Sequence, residues 1–198
     1  MTSPNRNDQE KFRKSCRRYN IPGHAHSLTF SCYRRQPFFS TAMSCQWFID
    51  ALSAAREKYE FDLWAYVLMP EHVHLLIYPR KEKYSISNIL RSLKWPVSMQ
   101  ARKYAFENQS IVLAPMWHRL SEGRAATRFW QRGGGYDRNL HNSRLIYNTI
   151  EYIHRNPIRR GLTDLPENWN WSSAAYYLRG WDVPIVPDLE SLPNKSWF

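Results

Sequence analysis

Two histidines separated by one hydrophobic residue, His72-Val73-His74, are the side chains in this sequence best suited to hold a divalent ion. They open an apolar run, His72 to Tyr78 (HVHLLIY), that reads as a β-strand. Side chains alternate along a strand, so both imidazoles share one face while Val73 and Leu75 take the other. Imidazole is a common metal ligand, and an ion completed by other groups can keep a position open for a phosphate oxygen. The competing reading leaves one histidine in solvent and packs the other.

Tyr152 and Asn156 are four residues apart in a predicted helix, Ser143 to about Asn156, and therefore share a face. A phenol ionises only near pH ~10, so a tyrosine needs help to act as a nucleophile. A nearby metal ion can stabilise the phenolate and polarise a phosphate at the same time. Asn156 offers an amide oxygen as a third ligand. The alternative is that Tyr152 packs into the core and Asn156 caps the helix before Pro157. Two other tyrosines compete for the role. Tyr147 precedes Tyr152 by five residues and points to a different helix face. Tyr136 follows Gly133-Gly134-Gly135, which reads as a flexible turn, and a nucleophile is better held on a rigid element.

The elements that must position these groups follow from periodicity. His26 to Tyr33 reads as a first strand and about Thr41 to Tyr59 as a helix. Phe61 to Leu68 and His72 to Tyr78 are two strands joined so closely, through Met69-Pro70-Glu71, that they form an antiparallel hairpin. A helix from about Ser85 to Ala105 follows, disturbed at Pro96. Glu107 to Arg128 reads as a long loop and Thr127 to Gln131 as a candidate fourth strand. Pro157 is expected to stop the last helix. The order predicts an α+β fold, a ferredoxin-like split βαβ antiparallel sheet with helices packed on one face. Residues 1–20 read as a basic flexible arm, 21–165 as the catalytic domain and 166–198 as an aromatic-rich tail.

Lysine and arginine number 28 against 17 acidic residues, a net charge of +11, which points to a polyanionic partner. Nine Trp, twelve Tyr and nine Phe accompany the arginines, a mixture suited to single-stranded nucleic acid. No stretch reaches the ~18 apolar residues of a membrane span, and the polar N-terminus lacks a secretory apolar core, so no membrane role and a cytoplasmic location are expected. Three scattered cysteines, Cys16, Cys32 and Cys45, read as reduced thiols. A second triplet, His24-Ala25-His26, enters the first strand beside Gly23 and reads as structural or as a DNA contact.

Four segments, MPEHVHLLIYP (Met69 to Pro79), RFWQRGGGYDRNL (Arg128 to Leu140), EYIHRNPIRRGL (Glu151 to Leu162) and NWNWSSAAYY (Asn168 to Tyr177), together resemble the REP-associated tyrosine transposases. These are relatives of the single-tyrosine insertion-sequence transposases of the HUH endonuclease group. The resemblance implies that His72 and His74 are metal ligands, Tyr152 the nucleophile and Asn156 the third, amide ligand. It implies Mg²⁺ or Mn²⁺ as cofactor. It implies cleavage of single-stranded DNA beside REP-like hairpins, through a 5′-phosphotyrosine that leaves a 3′-OH. Arg128, Trp130, Arg132, Arg155, Arg159 and Arg160 become candidate DNA contacts, with His118 and Arg119 weaker ones. The basic helix end around Arg155, Arg159 and Arg160 departs from the family pattern and bears on DNA preference. A monomer and a homodimer are both compatible with these motifs. Two other functions remain open: a hairpin-binding protein without catalysis, and a metal phosphodiesterase that uses water.

Overall fold

The computed structural model describes residues 18–119 and 125–195. Most of the expected basic arm, with Cys16, lies outside them; Cys32 and Cys45 are buried free thiols. Among the described residues no helix is long and apolar enough to cross a membrane.

Four strands form one antiparallel sheet: β1 (Ala25–Ser31), β2 (Phe61–Met69), β3 (His72–Pro79) and β6 (Tyr136–Leu140), in the order β2-β3-β1-β6. β3 lies between β1 and β2, which is the expected split βαβ plan. Pro70 and Glu71 make the two-residue turn of the β2–β3 hairpin, with Met69 opposite His72. The fourth strand is not Thr127 to Gln131. Residues of that stretch split between a two-stranded ribbon, β4 (Trp117–Arg119) with β5 (Ala125–Thr127), and a single bridge from Trp130 to Cys32. The ribbon occupies much of what the sequence presents as a long loop.

The glycines before β6 serve a close approach rather than flexibility. Gly135 has φ +74°, and a Cβ there would run into the carbonyl oxygen of Thr29 on β1. Tyr136 follows directly and pairs with Thr29 as the first residue of the strand.

α1 (Ala42–Tyr59) and α2 (Ile86–Asn108) pack on one sheet face. Thr41 caps α1 by accepting from Ser44 N–H, and Ser85 caps α2 by accepting from Asn88 N–H. Phe30, Phe48, Leu52, Tyr66, Leu75 and Leu93 belong to the dry core between these layers. α2 runs through Pro96 to Asn108 without ending, helped by burial of Leu93, Val97 and Ala101.

The third helix departs from the expectation of helices on one face. α3 (Ser143–Arg159) packs on the opposite face, where Ile146, Ile150 and Ile153 meet Ala65, Val67, Met69 and Leu76. The reason is strand alternation: β2 is buried over its whole length, so both of its faces need cover. α3 also passes Pro157, which fits inside the last turn while Arg160 N–H bonds back to Asn156, Pro157 and Ile158 carbonyls. The aromatic-rich segment after Leu165 seals the free edge of β2. Leu68 N–H bonds Trp171 O, Ser173 N–H bonds Tyr66 O, and Asp188 N–H bonds Leu63 O. A short helix, α4 (Ala174–Arg179), lies within this seal.

Candidate active site

β3 carries different chemistry on its two sides. Val73, Leu75 and Ile77 enter the α1/α2 core, while His72 and His74 face the α3 side. The two Nε2 atoms lie 2.9 Å apart, with the rings crossed at 84°. Each remaining nitrogen is held. His74 Nδ1 is 2.7 Å from Oγ1 of Thr29, its opposite number on β1, and His72 Nδ1 is 3.1 Å from Oε1 of Glu71. An ionised carboxylate only accepts, so His72 keeps its proton on Nδ1 and turns the Nε2 lone pair inward.

Burial keeps both rings neutral. It pulls His74 down to about 3, reinforced by the neighbouring His72. Burial also lowers His72, although Glu71 works in the other direction. Burial works to raise the Glu71 carboxyl, but His72 and Arg160 outweigh it and hold it below the usual range. Neutral imidazoles are the form that binds a divalent ion, which would replace the proton shared between the two Nε2 atoms. Among the described residues no three His, Cys, Asp or Glu side chains are grouped so that all could hold one metal ion. The two imidazoles are a donor pair whose chemistry fits a divalent ion, one that other oxygen donors would have to complete.

Tyr152 sits on the flank of the α3 isoleucine stripe. Its ring meets His74 edge-on at 5.5 Å, and the Arg159 guanidinium stands 5.2 Å over it. The residue is 45% exposed, and its hydroxyl has no hydrogen-bond partner among the described residues. It therefore does not pack into the core. Thr29, His74, Tyr136, Arg138, Thr149 and Tyr152 line an open cavity of about 590 Å³. A larger groove of about 770 Å³ between α1 and α2 contains no histidine, so size does not locate the chemistry here.

Asn156 lies one turn beyond Tyr152 and is buried. Its Nδ2 donates to the Tyr152 carbonyl at 2.7 Å, a bond that leaves the amide oxygen uncommitted. Asn156 makes no hydrogen bond to either imidazole among the described residues. Of the rival tyrosines, Tyr147 points away, its hydroxyl donating to Pro193 O. Tyr136 is a stronger rival than its glycine-rich context suggests, because it stands on a paired strand and lines the same cavity. His26, by contrast, is fully buried, with its ring nitrogens on Asp137 and Tyr84.

The candidate DNA contacts divide. Trp130 is a core residue: it is buried among Phe30, Phe39, Phe48 and Phe129, and its indole N–H donates to Lys94 O. It offers no free face for a base. Arg128 stacks on Tyr33 at 5.1 Å. Arg132, Arg155, Arg159 and Arg160 are exposed, Arg155 with Glu151 and Arg160 with Glu71. Sequence reasoning missed Thr29, Glu71 and Arg138. Glu71 adjoins His72 in the sequence, which is a usable signal; Thr29 is identified only by the β1–β3 register.

A family model described as IS200-like transposase matches residues 22–156. A Haemophilus influenzae protein named as a REP-associated tyrosine transposase is 25% identical over 130 residues, which are 64% of this chain and 66% of that one. The match thus spans just under two thirds of that relative's length. The solved structure of a REP-associated tyrosine transposase bound to a REP hairpin aligns with a TM-score of 0.62 at 19% identity, over 88% of this chain and 92% of that one. That likeness concerns the fold. The motif resemblance and the family match agree, and the matched span takes in His72, His74, Tyr152 and Asn156: the chain belongs to the IS200-like transposase family.

Proposed function

We propose that this protein cuts and rejoins single-stranded DNA beside REP-like hairpins in the cytoplasm, with Tyr152 as nucleophile. The observation that carries this reading is the half-exposed Tyr152 phenol, free of hydrogen bonds among the described residues and set edge-on to His74 in the lining of an open cavity. The phenolic oxygen attacks the scissile phosphorus and gives up its proton to solvent in the cleft. The P–O bond to the departing 3′ oxygen breaks, leaving a free 3′-OH and a 5′-phosphotyrosine. Rejoining reverses the exchange: a 3′-OH attacks the same phosphorus and the tyrosine leaves. One phosphodiester replaces another, so no nucleotide triphosphate is consumed. His72 and His74, with Asn156 as the third ligand, would hold Mg²⁺ or Mn²⁺, which when bound supplies charge stabilisation at the phosphate. Thr29 and Glu71 orient the two rings. Arg138 and Arg159 border the cleft where a polyanion must lie, and the net charge of +11 favours such a partner. The hairpin component rests on the two relatives named for REP association, one of them solved on a REP hairpin.

The test is cleavage of an end-labelled hairpin carrying a single-stranded flank. Cutting is expected with Mn²⁺ or Mg²⁺, and not in a chelator or on a blunt duplex of the same stem. Equal cutting of the blunt duplex, or undiminished cutting in the chelator, would contradict the reading.

A further inference from the structure

Glu71 performs no step in that chemistry, yet three elements meet on one of its oxygens. Oε1 accepts from His72 Nδ1 at 3.1 Å and from Arg35 Nη2 at 3.2 Å, and Arg160 Nη1 stands 3.0 Å away as an ion-pair partner. His72 opens β3, Arg35 ends the short 3-10 turn Tyr33–Arg35 after β1, and Arg160 caps the C-terminal end of α3, two turns beyond Tyr152. The Glu71 side chain is 10% exposed, whereas the two arginine side chains are 62% and 50% exposed.

The Arg35 arm is held in an uncommon backbone. Arg34 and Arg35 are successive left-handed residues, with φ 51° and 53°, a region that side chains with a Cβ seldom adopt. The Gln131 side chain accepts from Arg34 N–H, and Arg35 N–H bonds Cys32 O, so the turn is fixed at both residues. Half-exposed ion pairs add little to stability in themselves. What distinguishes this carboxylate is that its third bond goes to a ring nitrogen whose opposite lone pair faces His74.

We propose that Glu71 is a positioning residue that fixes His72 in its Nδ1–H tautomer and, through Arg160, docks the end of the Tyr152 helix onto the histidine strand. The inference rests on the reading of His72 and His74 as ligands and Tyr152 as nucleophile. A helix that carries a nucleophile across from a separate sheet strand must be locked in register with it, because small misplacements slow a displacement strongly. Arg160 supplies that lock: it joins the end of α3 to the turn residue directly before His72. The two arms of Glu71 therefore do separable work. The His72 arm governs how well the ion is held. The Arg160 arm governs where Tyr152 stands.

Mn²⁺ affinity, read by electron paramagnetic resonance on the full chain without DNA, separates the arms from adduct formation. Glu71→Ala is expected to weaken Mn²⁺ binding about 10–100-fold, as loss of a carboxylate behind a ligating histidine does. Glu71→Gln should fall between that and the wild type, because its amide oxygen still accepts from Nδ1–H. Arg160→Met should keep Mn²⁺ affinity and melting temperature, and at saturating Mn²⁺ should slow adduct formation about tenfold or more. If Glu71→Ala melts early, Glu71→Gln carries the affinity measurement. Wild-type Mn²⁺ affinity in both Glu71 variants, or a wild-type adduct rate in Arg160→Met, would overturn the proposal. A wild type that binds no Mn²⁺ would overturn the ligand assignment itself, and this inference with it.

Discussion

The two faces of the sheet use the same strands for opposite ends. On the α1/α2 face the strand residues Leu28, Phe30, Tyr66, Val73, Leu75 and Ile77 are dry and interlock with two helices. On the α3 face the cover is partial. α3 buries the β2 side with isoleucines, while Ser27, Thr29, Tyr136 and Arg138 on β1 and β6 border open space. A single helix cannot span four strands, and the uncovered half becomes the cleft. Tyr152 stands at the boundary between the two halves, so one α3 flank builds core while the next faces the cavity. Alternation along β3 thus assigns neighbouring residues to different tasks, His72 and His74 to chemistry and Val73 and Leu75 to stability.

Swapping neighbours across the sheet is the sharpest way to break this comparison. His74→Ala should abolish DNA cleavage and cost less stability than the adjacent Leu75→Ala. The latter removes a fully buried side chain and should cost about 2–5 kcal/mol in denaturant unfolding. If cleavage survives in His74→Ala, the division between faces is not a division of function.

Trp130 and Arg132, two residues apart, extend the comparison to the DNA surface. Trp130→Ala should cost about 3–5 kcal/mol of stability, as expected for a buried indole. Arg132→Ala should leave stability unchanged and reduce the slope of log affinity against log salt by about one. A Trp130→Ala protein as stable as the wild type would remove it from the core.

A smaller effect comes from the seam between α3 and the C-terminal segment, where His154 Nε2 lies 2.8 Å from Ser173 Oγ. Burial pulls His154 down to about 4. An unfolded histidine takes its proton near pH ~6.5, so below that the unfolded state binds more protons. Stability should be full above pH ~6.5 and fall as pH drops towards 4, with this group costing about 2 kcal/mol by pH 5. Melting curves at pH 8 and 5 should show the loss in the wild type and most of it removed in His154→Gln. An equal loss in the variant would place the pH sensitivity elsewhere.

Much of this arrangement is legible in the sequence, for identifiable reasons. Local alternation sets His72 and His74 on one face, and the short Pro70-Glu71 turn dictates the β2–β3 hairpin. The i, i+4 spacing of Tyr152 and Asn156 places them one turn apart on one helix. What needs tertiary information is which sheet face that helix covers, since periodicity defines a stripe and not its partner. β6 escapes because YDRNL is polar; it is a strand through its pairing with β1 and the close approach at Gly135, not through its own hydrophobicity. Trp130 misleads for the converse reason. An aromatic flanked by arginines suggests stacking, and only its neighbours Phe30 and Phe39 show that it is interior.

The central claim, that Tyr152 and not another group attacks the phosphorus, is tested most directly by trapping the covalent product. A hairpin substrate labelled on the strand 3′ of the cut is incubated with Mn²⁺ and run on a denaturing gel. The wild type should retain label on the protein. Tyr152→Phe should retain none while melting like the wild type, since only a half-exposed hydroxyl is lost. Tyr136→Phe, the rival in the same cavity, should keep the adduct. A full adduct from Tyr152→Phe would contradict the account, and cleavage by the wild type with no adduct at all would replace the tyrosine with water.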